Sequence, residues 1–338
     1  MTAAITQSLR SARRSARLSA AVRLTALTAV VLVLWFCSLM IGDVFYSPGE
    51  VWAVLTGHTV PGASFAVGDL RLPRATVGAA VGAAFGVSGA LFQTLLRNQL
   101  ASPDIIGISS AASAAGATAI VFLHWGTAAV SASSLIFSLV VAAAVFWLVP
   151  QPRSGPKLIL IGIGVGAVMQ SWTSYVLSRA AAWDAPAAVR WLTGSLNSVS
   201  FEQGWPALIA AAAALSVGVL GSNRLALLRF GNDTVEALGV RSRALRPALL
   251  MAAVLFLAAA ASVAGPIAFA AFMAGPIASR LFPAGTSLIL PSGLVGAALI
   301  LTADAIGQFA FGTRYPVGVV TGALGAPLLI ALLIRTRK

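Results

Sequence analysis

The sequence predicts an all-α, polytopic membrane protein with about ten transmembrane helices. Three observations predict it. Hydrophobic residues fill 59% of the 338 positions and charged residues only 9%, whereas soluble domains carry about 25% charged residues. The apolar residues gather in runs of about 20, the length that crosses a bilayer as a helix. Basic residues sit between these runs and favour alternate loops, as the positive-inside rule requires. The net charge of +13 invites a nucleic-acid reading, but the clusters flank apolar runs, so nucleic acid is excluded as a partner. A cytosolic enzyme and a disordered tail are excluded on the same grounds.

The elements follow in order. Residues 1–23 hold five arginines and no acid, like the start of a signal peptide. The apolar run behind them is too long for a signal core and no small-residue cleavage site follows it. We therefore read a basic cytoplasmic segment and an uncleaved first span at 24–42. Further spans are expected at 75–96, 105–123, 128–149, 158–177, 203–220, 248–269, 287–310 and 317–334. A shorter apolar stretch at 270–282 contains Gly275 and Pro276 and is expected to be broken or tilted. With it the count is ten, and both termini share one side. Seventeen of the 22 basic residues then lie inside, against Arg71, Arg74, Arg179, Arg190 and Arg314 outside. Nine spans would move the terminal Arg335, Arg337 and Lys338 outside, so ten is the better count. The domain reading is a single transmembrane domain at 24–334 and a cytoplasmic tail at 335–338.

Glycine is the second signal. Gly78, Gly82 and Gly86 share one helix face, as do Gly162 and Gly166, and small residues at this spacing let helices approach closely in lipid. A well-packed bundle and a pore lined by small residues both use such faces.

Several chemistries are missing. No G-x-x-x-x-G-K-[ST] is present, so the chain has no P-loop for ATP. Cys37 is the only cysteine, which excludes an intrachain disulfide and a cysteine metal site. His58 and His124 are far apart and no zinc spacing occurs. No cofactor and no catalytic residue are expected. Asp304 is the one ionisable group inside a predicted span, toward its outer end. Such residues are functional by default, but bonding between neighbouring helix ends is the reading we favour. A secondary transporter would carry more mid-membrane charge. The chain reads as a conduit driven from outside itself.

Three loops look shaped for partners. Residues 221–246 hold five arginines with Asp233 and Glu236. Asn232 or Asp233 can cap a short helix at 234–238, closed by Gly239. Such a helix on a cytoplasmic loop is a lever for a soluble partner. In residues 97–113, Ser102–Pro103–Asp104 looks like a helix start. In residues 68–74, Arg71 and Arg74 break the positive-inside trend. They suit either an acidic partner surface or headgroup anchoring.

Together these segments resemble the FecCD family, the permease subunits of bacterial ABC importers for iron-siderophores, haem and cobalamin. The residues that carry the resemblance are R-L-P-R at 71–74, G-A-L-F-Q at 89–93 and R-N-x-L-A-S-P-D-I-I-G-I-S at 97–109. W-L-T-G-S-L at 191–196, L-G-V-R-S-R at 238–243 and A-G-P-I-A-F at 264–269 follow, then A-D at 303–304 and P-V-G-V-V-T-G-A-L-G-A-P at 316–327. The resemblance implies a ten-helix, type II ABC importer permease in a bacterial inner membrane, most plausibly for a ferric siderophore, with cobalamin or haem as alternatives. It implies a second permease subunit, identical or not, a cytoplasmic ABC ATPase pair and an extracytoplasmic binding protein. By the same resemblance Asp233, Thr234, Glu236, Ala237, Leu238, Gly239 and Arg241 dock the ATPase, and Arg71 and Arg74 meet the binding protein. Three departures stand out. Gln99 replaces the usual Pro. The family's P-H-x-x-R reads Pro276–Ile277–Ala278–Ser279–Arg280. Gln308 stands where the family often has Arg, and Arg314 is expected to take over that outward contact.

Overall fold

Lipid offers no water to satisfy backbone groups, so a spanning segment must satisfy them internally, as a helix does. A computed structural model describes residues 2–149, 155–197, 199–221, 225, 242–283 and 285–335. Every regular element among the described residues is helical. In chain order they are α1 (Thr2–Met40), α2 (Pro48–Leu55), a π-helical segment (Ser64–Arg71), α3 (Leu72–Leu96), a 3₁₀ turn (Pro103–Ile106), α4 (Ile108–Val121), α5 (Thr127–Leu148) and α6 (Gly155–Ser178). They continue with α7 (Ala185–Thr193), α8 (Phe201–Leu220), α9 (Ser242–Ala264), α10 (Ala270–Leu281), α11 (Ile289–Phe309) and α12 (Val317–Arg335). Seven stretches among the described residues are long and apolar enough to cross a membrane. They lie on α1, α3, α5, α6, α8, α9 and α11. α4 and α12 carry shorter apolar stretches, and the 12-residue α10, at the stretch expected to be broken or tilted, makes ten with them.

α3 is the hub. It packs against α8, α9, α10 and α11, and 89% of its most apolar window is buried. Its glycines explain this. A Cβ on Gly82 would strike the Gly296 carbonyl of α11, and one on Gly86 would strike Ser292. Gly89 meets the Ala271 backbone of α10 in the same way. The small-residue face is therefore a helix contact, not a pore lining. Gly162 and Gly166 of α6 likewise receive Gly107, whose φ is +84°. α1 lies at the edge, and none of its most apolar window is buried.

Four elements differ from expectation. The first helix begins at Thr2, ahead of the apolar run. The span expected at 105–123 starts as a helix only at Ile108, because Gly107 ends the 3₁₀ turn in a left-handed conformation. The span expected at 248–269 stops at Ala264, where Gly265 (φ +73°) and Pro266 end α9. The stretch at 270–282 forms a 12-residue helix whose first residues are buried in protein; it need not match the bilayer thickness. Three elements had no forecast: α2, started by a Ser47–Glu50 capping box, the π-helical segment at Ser64–Arg71, and α7, amphipathic and started by Pro186.

Candidate functional site

At one end of the bundle, the R-L-P-R stretch joins the π-helical segment to α3. Arg71 closes that segment and points back at α1. Its Nη1 donates to the carbonyls of Leu39 (3.0 Å) and Met40 (2.9 Å), and its Nη2 to that of Val44 (2.7 Å). The guanidinium also lies 5.0 Å from the Tyr46 ring centroid. A cation on the last carbonyls of a helix satisfies acceptors that the helix leaves open and complements its dipole. Arg71 thereby caps α1.

Arg74 points the other way, into the bundle. Its Nε and Nη2 each donate to one oxygen of Asp304 at 2.8 Å, a bidentate pair between α3 and α11. Asp304 is buried, and Gln308, one turn further along α11, donates a third bond of 2.8 Å to it. Asp304 thus bonds neighbouring helix ends, as its position suggested. Gln308, where the family often has arginine, completes this set without adding a second cation.

Arg314 is the exposed member. Its Nη2 donates to both oxygens of Asp43 at 2.6 and 2.7 Å, joining the loop after α1 to the loop before α12. The side chains remain 58% and 81% exposed. This partner holds the Asp43 carboxyl below the usual range, first through the Arg314 hydrogen bond and then through its charge. Arg71 adds a smaller electrostatic contribution to the same carboxylate. The three arginines expected as an outward contact are therefore placed differently. Arg314 is at the surface and Arg71 is half-engaged beside it, whereas the guanidinium of Arg74 faces Asp304.

Asp233, Thr234, Glu236, Ala237, Leu238, Gly239 and Arg241 lie outside the described residues. Toward the Leu96 end of α3, the described residues hold a feature that sequence reading missed. Pro276 has no N–H to give the Phe272 carbonyl one turn back. Gln93 of α3, from the G-A-L-F-Q block, supplies the bond instead, its Nε2 lying 3.1 Å from that oxygen. Gly275 leaves room for this placement of Gln93, because a Cβ there would strike the Gln93 amide and displace it. The signal was available: a helix-interior proline leaves one carbonyl needing a donor. Gln93, Gln99, Gly275, Pro276 and Ser279 line one cavity of about 430 Å³. Gln99, one departure from the family pattern, lines it; Ile277, at the position of the family's His, does not.

A second cavity, of about 390 Å³, lies between the Ser102–Ser113 stretch, the break between α9 and α10, and α12. Ser102 caps the 3₁₀ turn, accepting the Asp104 N–H, and its hydroxyl donates to the Asp104 carboxylate at 3.0 Å. The Ser109 hydroxyl donates to the other carboxylate oxygen. Among the described residues no group of three or more His, Cys, Asp or Glu side chains is placed to hold a metal ion.

Comparison with known proteins extends these observations. The profile of the FecCD transport family matches residues 30–335. The ferric enterobactin transport system permease protein of Escherichia coli is 36% identical over 91% of this chain and 94% of its own length. The achromobactin transport system permease protein of Dickeya dadantii is 35% identical over 96% of this chain and 94% of its own. A solved structure of a metal-chelate type ABC transporter, in an inward-facing conformation, superposes with a TM-score of 0.80. It is 26% identical and the match covers 92% of this chain and 98% of that one.

Proposed function

The chain belongs to the FecCD transport family, and from that premise we propose that it is the membrane permease of an ATP-driven importer for ferric siderophores. The observation that carries this reading is likeness over almost the whole chain to two permeases of siderophore transport systems. The chain performs no covalent chemistry in this reading. It provides a path whose two ends open in turn, and helices breaking inside the membrane supply joints for such a motion.

The driving force comes from partners. A pair of cytoplasmic ATPases docks on the 221–246 loop through Asp233, Thr234, Glu236, Ala237, Leu238, Gly239 and Arg241. A second permease subunit completes the path, and an extracytoplasmic binding protein delivers cargo. Both termini are cytoplasmic, as the distribution of basic residues favours. Arg71, Arg74 and Arg314 form the outward basic contact. Arg314 presents the charge, and Arg71 and Arg74 hold its surroundings in place. Exposed pairs are each worth about 0–1 kcal/mol, so such a contact steers and orients more than it holds.

The test is uptake of iron-55 bound to a panel of siderophores, in cells lacking this chain and in cells given it back. Restored uptake of a ferric siderophore supports the proposal. Restored uptake of cobalamin or haem alone, with no ferric siderophore taken up, would refute the cargo assignment.

A further inference from the structure

The cavity of about 390 Å³ holds an arrangement that packing alone does not explain. Two helices begin inside the membrane beside it. Ser138, midway along the 22-residue α5, donates to the Ile108 carbonyl, so α4 starts at mid-depth. α10 starts at Ala270, against Gly89 and about two turns before the inner end of α3. The stretch at 265–269 between α9 and α10 is mostly non-helical, with left-handed residues Gly265 and Phe269 at its ends. Non-helical backbone at this depth is tolerated only where protein buries it or where it lines a hydrated cavity. Both breaks border this one cavity.

The side chains add a direction. Asp104 accepts from two serine hydroxyls, but no basic side chain pairs with it among the described residues. Ser110 and Ser113 of α4 line the same space, and their hydroxyls make no hydrogen bond to the described residues. Ser113 is only 9% exposed. A helix serine away from water ordinarily bonds the carbonyl one turn back; here the buried Ser113 and the partly buried Ser110 are both left open. Phe269 and Phe272 form the opposite wall, edge to face at 6.2 Å. A carboxylate, two open hydroxyls and an aromatic wall make a set that recognises a donor on an apolar stem. Small-molecule sites have this character, a mostly apolar lining with a few polar groups converging.

We propose that this cavity is a subsite on the translocation path for the cationic, hydrogen-bond-donating arm of the cargo, an ammonium facing Asp104 with its stem on Phe269 and Phe272. Ser110 and Ser113 serve the arm's acceptors. The inference rests on the transport reading above for the word cargo, but the charge preference of the cavity can be measured without knowing the cargo. Burial without a cation favours the neutral form of a carboxyl, so an ammonium entering beside Asp104 supplies the counter-charge that the ionised form lacks, and it acts strongly because the surroundings screen poorly.

The experiment uses membrane vesicles containing the whole transporter, with Ser113→Cys in a Cys37→Ser background. A cationic and an anionic methanethiosulfonate reagent are compared by their rates of modification. The cationic reagent should react about tenfold faster. Asp104→Asn should remove the preference, and Asp104→Glu, which keeps the charge, should retain it. No reaction with either reagent, or a preference unchanged in Asp104→Asn, would overturn the site. A ferric hydroxamate with a terminal ammonium should slow the modification more than its N-acetylated, neutral form. Equal protection by both, or by neither, would overturn the cargo assignment. Failure of every ferric chelate to enter intact cells would instead count against the siderophore reading.

Discussion

Asp304→Ala is the most informative single change, because it separates the two roles open to Arg74. The variant removes the acceptor of a bidentate bond and of the Gln308 bond. Arg74 is left with a side chain only 21% exposed and no counter-charge. Breaking a buried pair from one side costs about 3–5 kcal/mol. One-fifth exposure near a helix end lets water take up part of this, so we expect about 2–3 kcal/mol. Arg74→Ala should cost a similar amount, since Asp304, 10% exposed at its side chain, would keep only Gln308. Replacing both by leucine removes both desolvation problems and should recover most of the loss, as isosteric replacement of buried pairs commonly does. The assay is thermal unfolding of the detergent-purified protein, read as a double-mutant cycle, alongside uptake in cells. A coupling energy near zero, or a wild-type melting temperature for Asp304→Ala, would refute the argument. If the double leucine variant regains stability but not uptake, Arg74 also meets a partner. If it regains both, its role is internal.

Other outcomes follow from the same geometry. Gly82→Leu should disrupt the α3–α11 contact, because the Gly296 carbonyl leaves no room; overpacking of this kind costs about 1–3 kcal/mol or more, seen as reduced yield and melting temperature. Glu236→Arg with Leu238→Asp should leave the permease in the membrane but strip its ATPase on purification; a stoichiometric ATPase would count against the docking loop. Cysteines placed at Ser222 and at Lys338, in a Cys37→Ser background, should react with an impermeant reagent only after permeabilisation. The Asp43–Arg314 pair should respond to acid. Its carboxyl is lowered in the folded protein, so its contribution is complete above the unfolded value and is lost as pH falls through the folded one. Melting curves of wild type and Asp43→Asn should therefore differ slightly near pH 6 and converge near pH 3; a constant difference would show that the pair is not responsible.

The spans were legible because hydropathy and glycine spacing are written along one dimension. The span expected at 128–149 is α5, Thr127–Leu148, and the capped start at Ser102–Pro103–Asp104 is present. The resemblance to the permease family was legible too, because short blocks in a fixed order need no coordinates. The glycine face announced close contact without naming its partner, since a small residue states how near a neighbour can come but not which one does.

What three dimensions decided is who faces whom. Arg74 and Asp304 are 230 positions apart, and Gln93 and Phe272 are 179. From sequence, an arginine at a helix end looks outward, and only the packing of α3 on α11 turned this one inward. The break between α9 and α10 is different. Apolar residues run on through 265–269, so hydropathy alone continues the helix, but the Gly265–Pro266 pair is a local break signal that the span reading passed over. Composition by itself determined that this chain lives in a membrane and that helices carry it across, because the solvent dictates both. Which polar groups pair, and which side chains gather around Asp104, depended on contacts between distant segments, which no local pattern encodes.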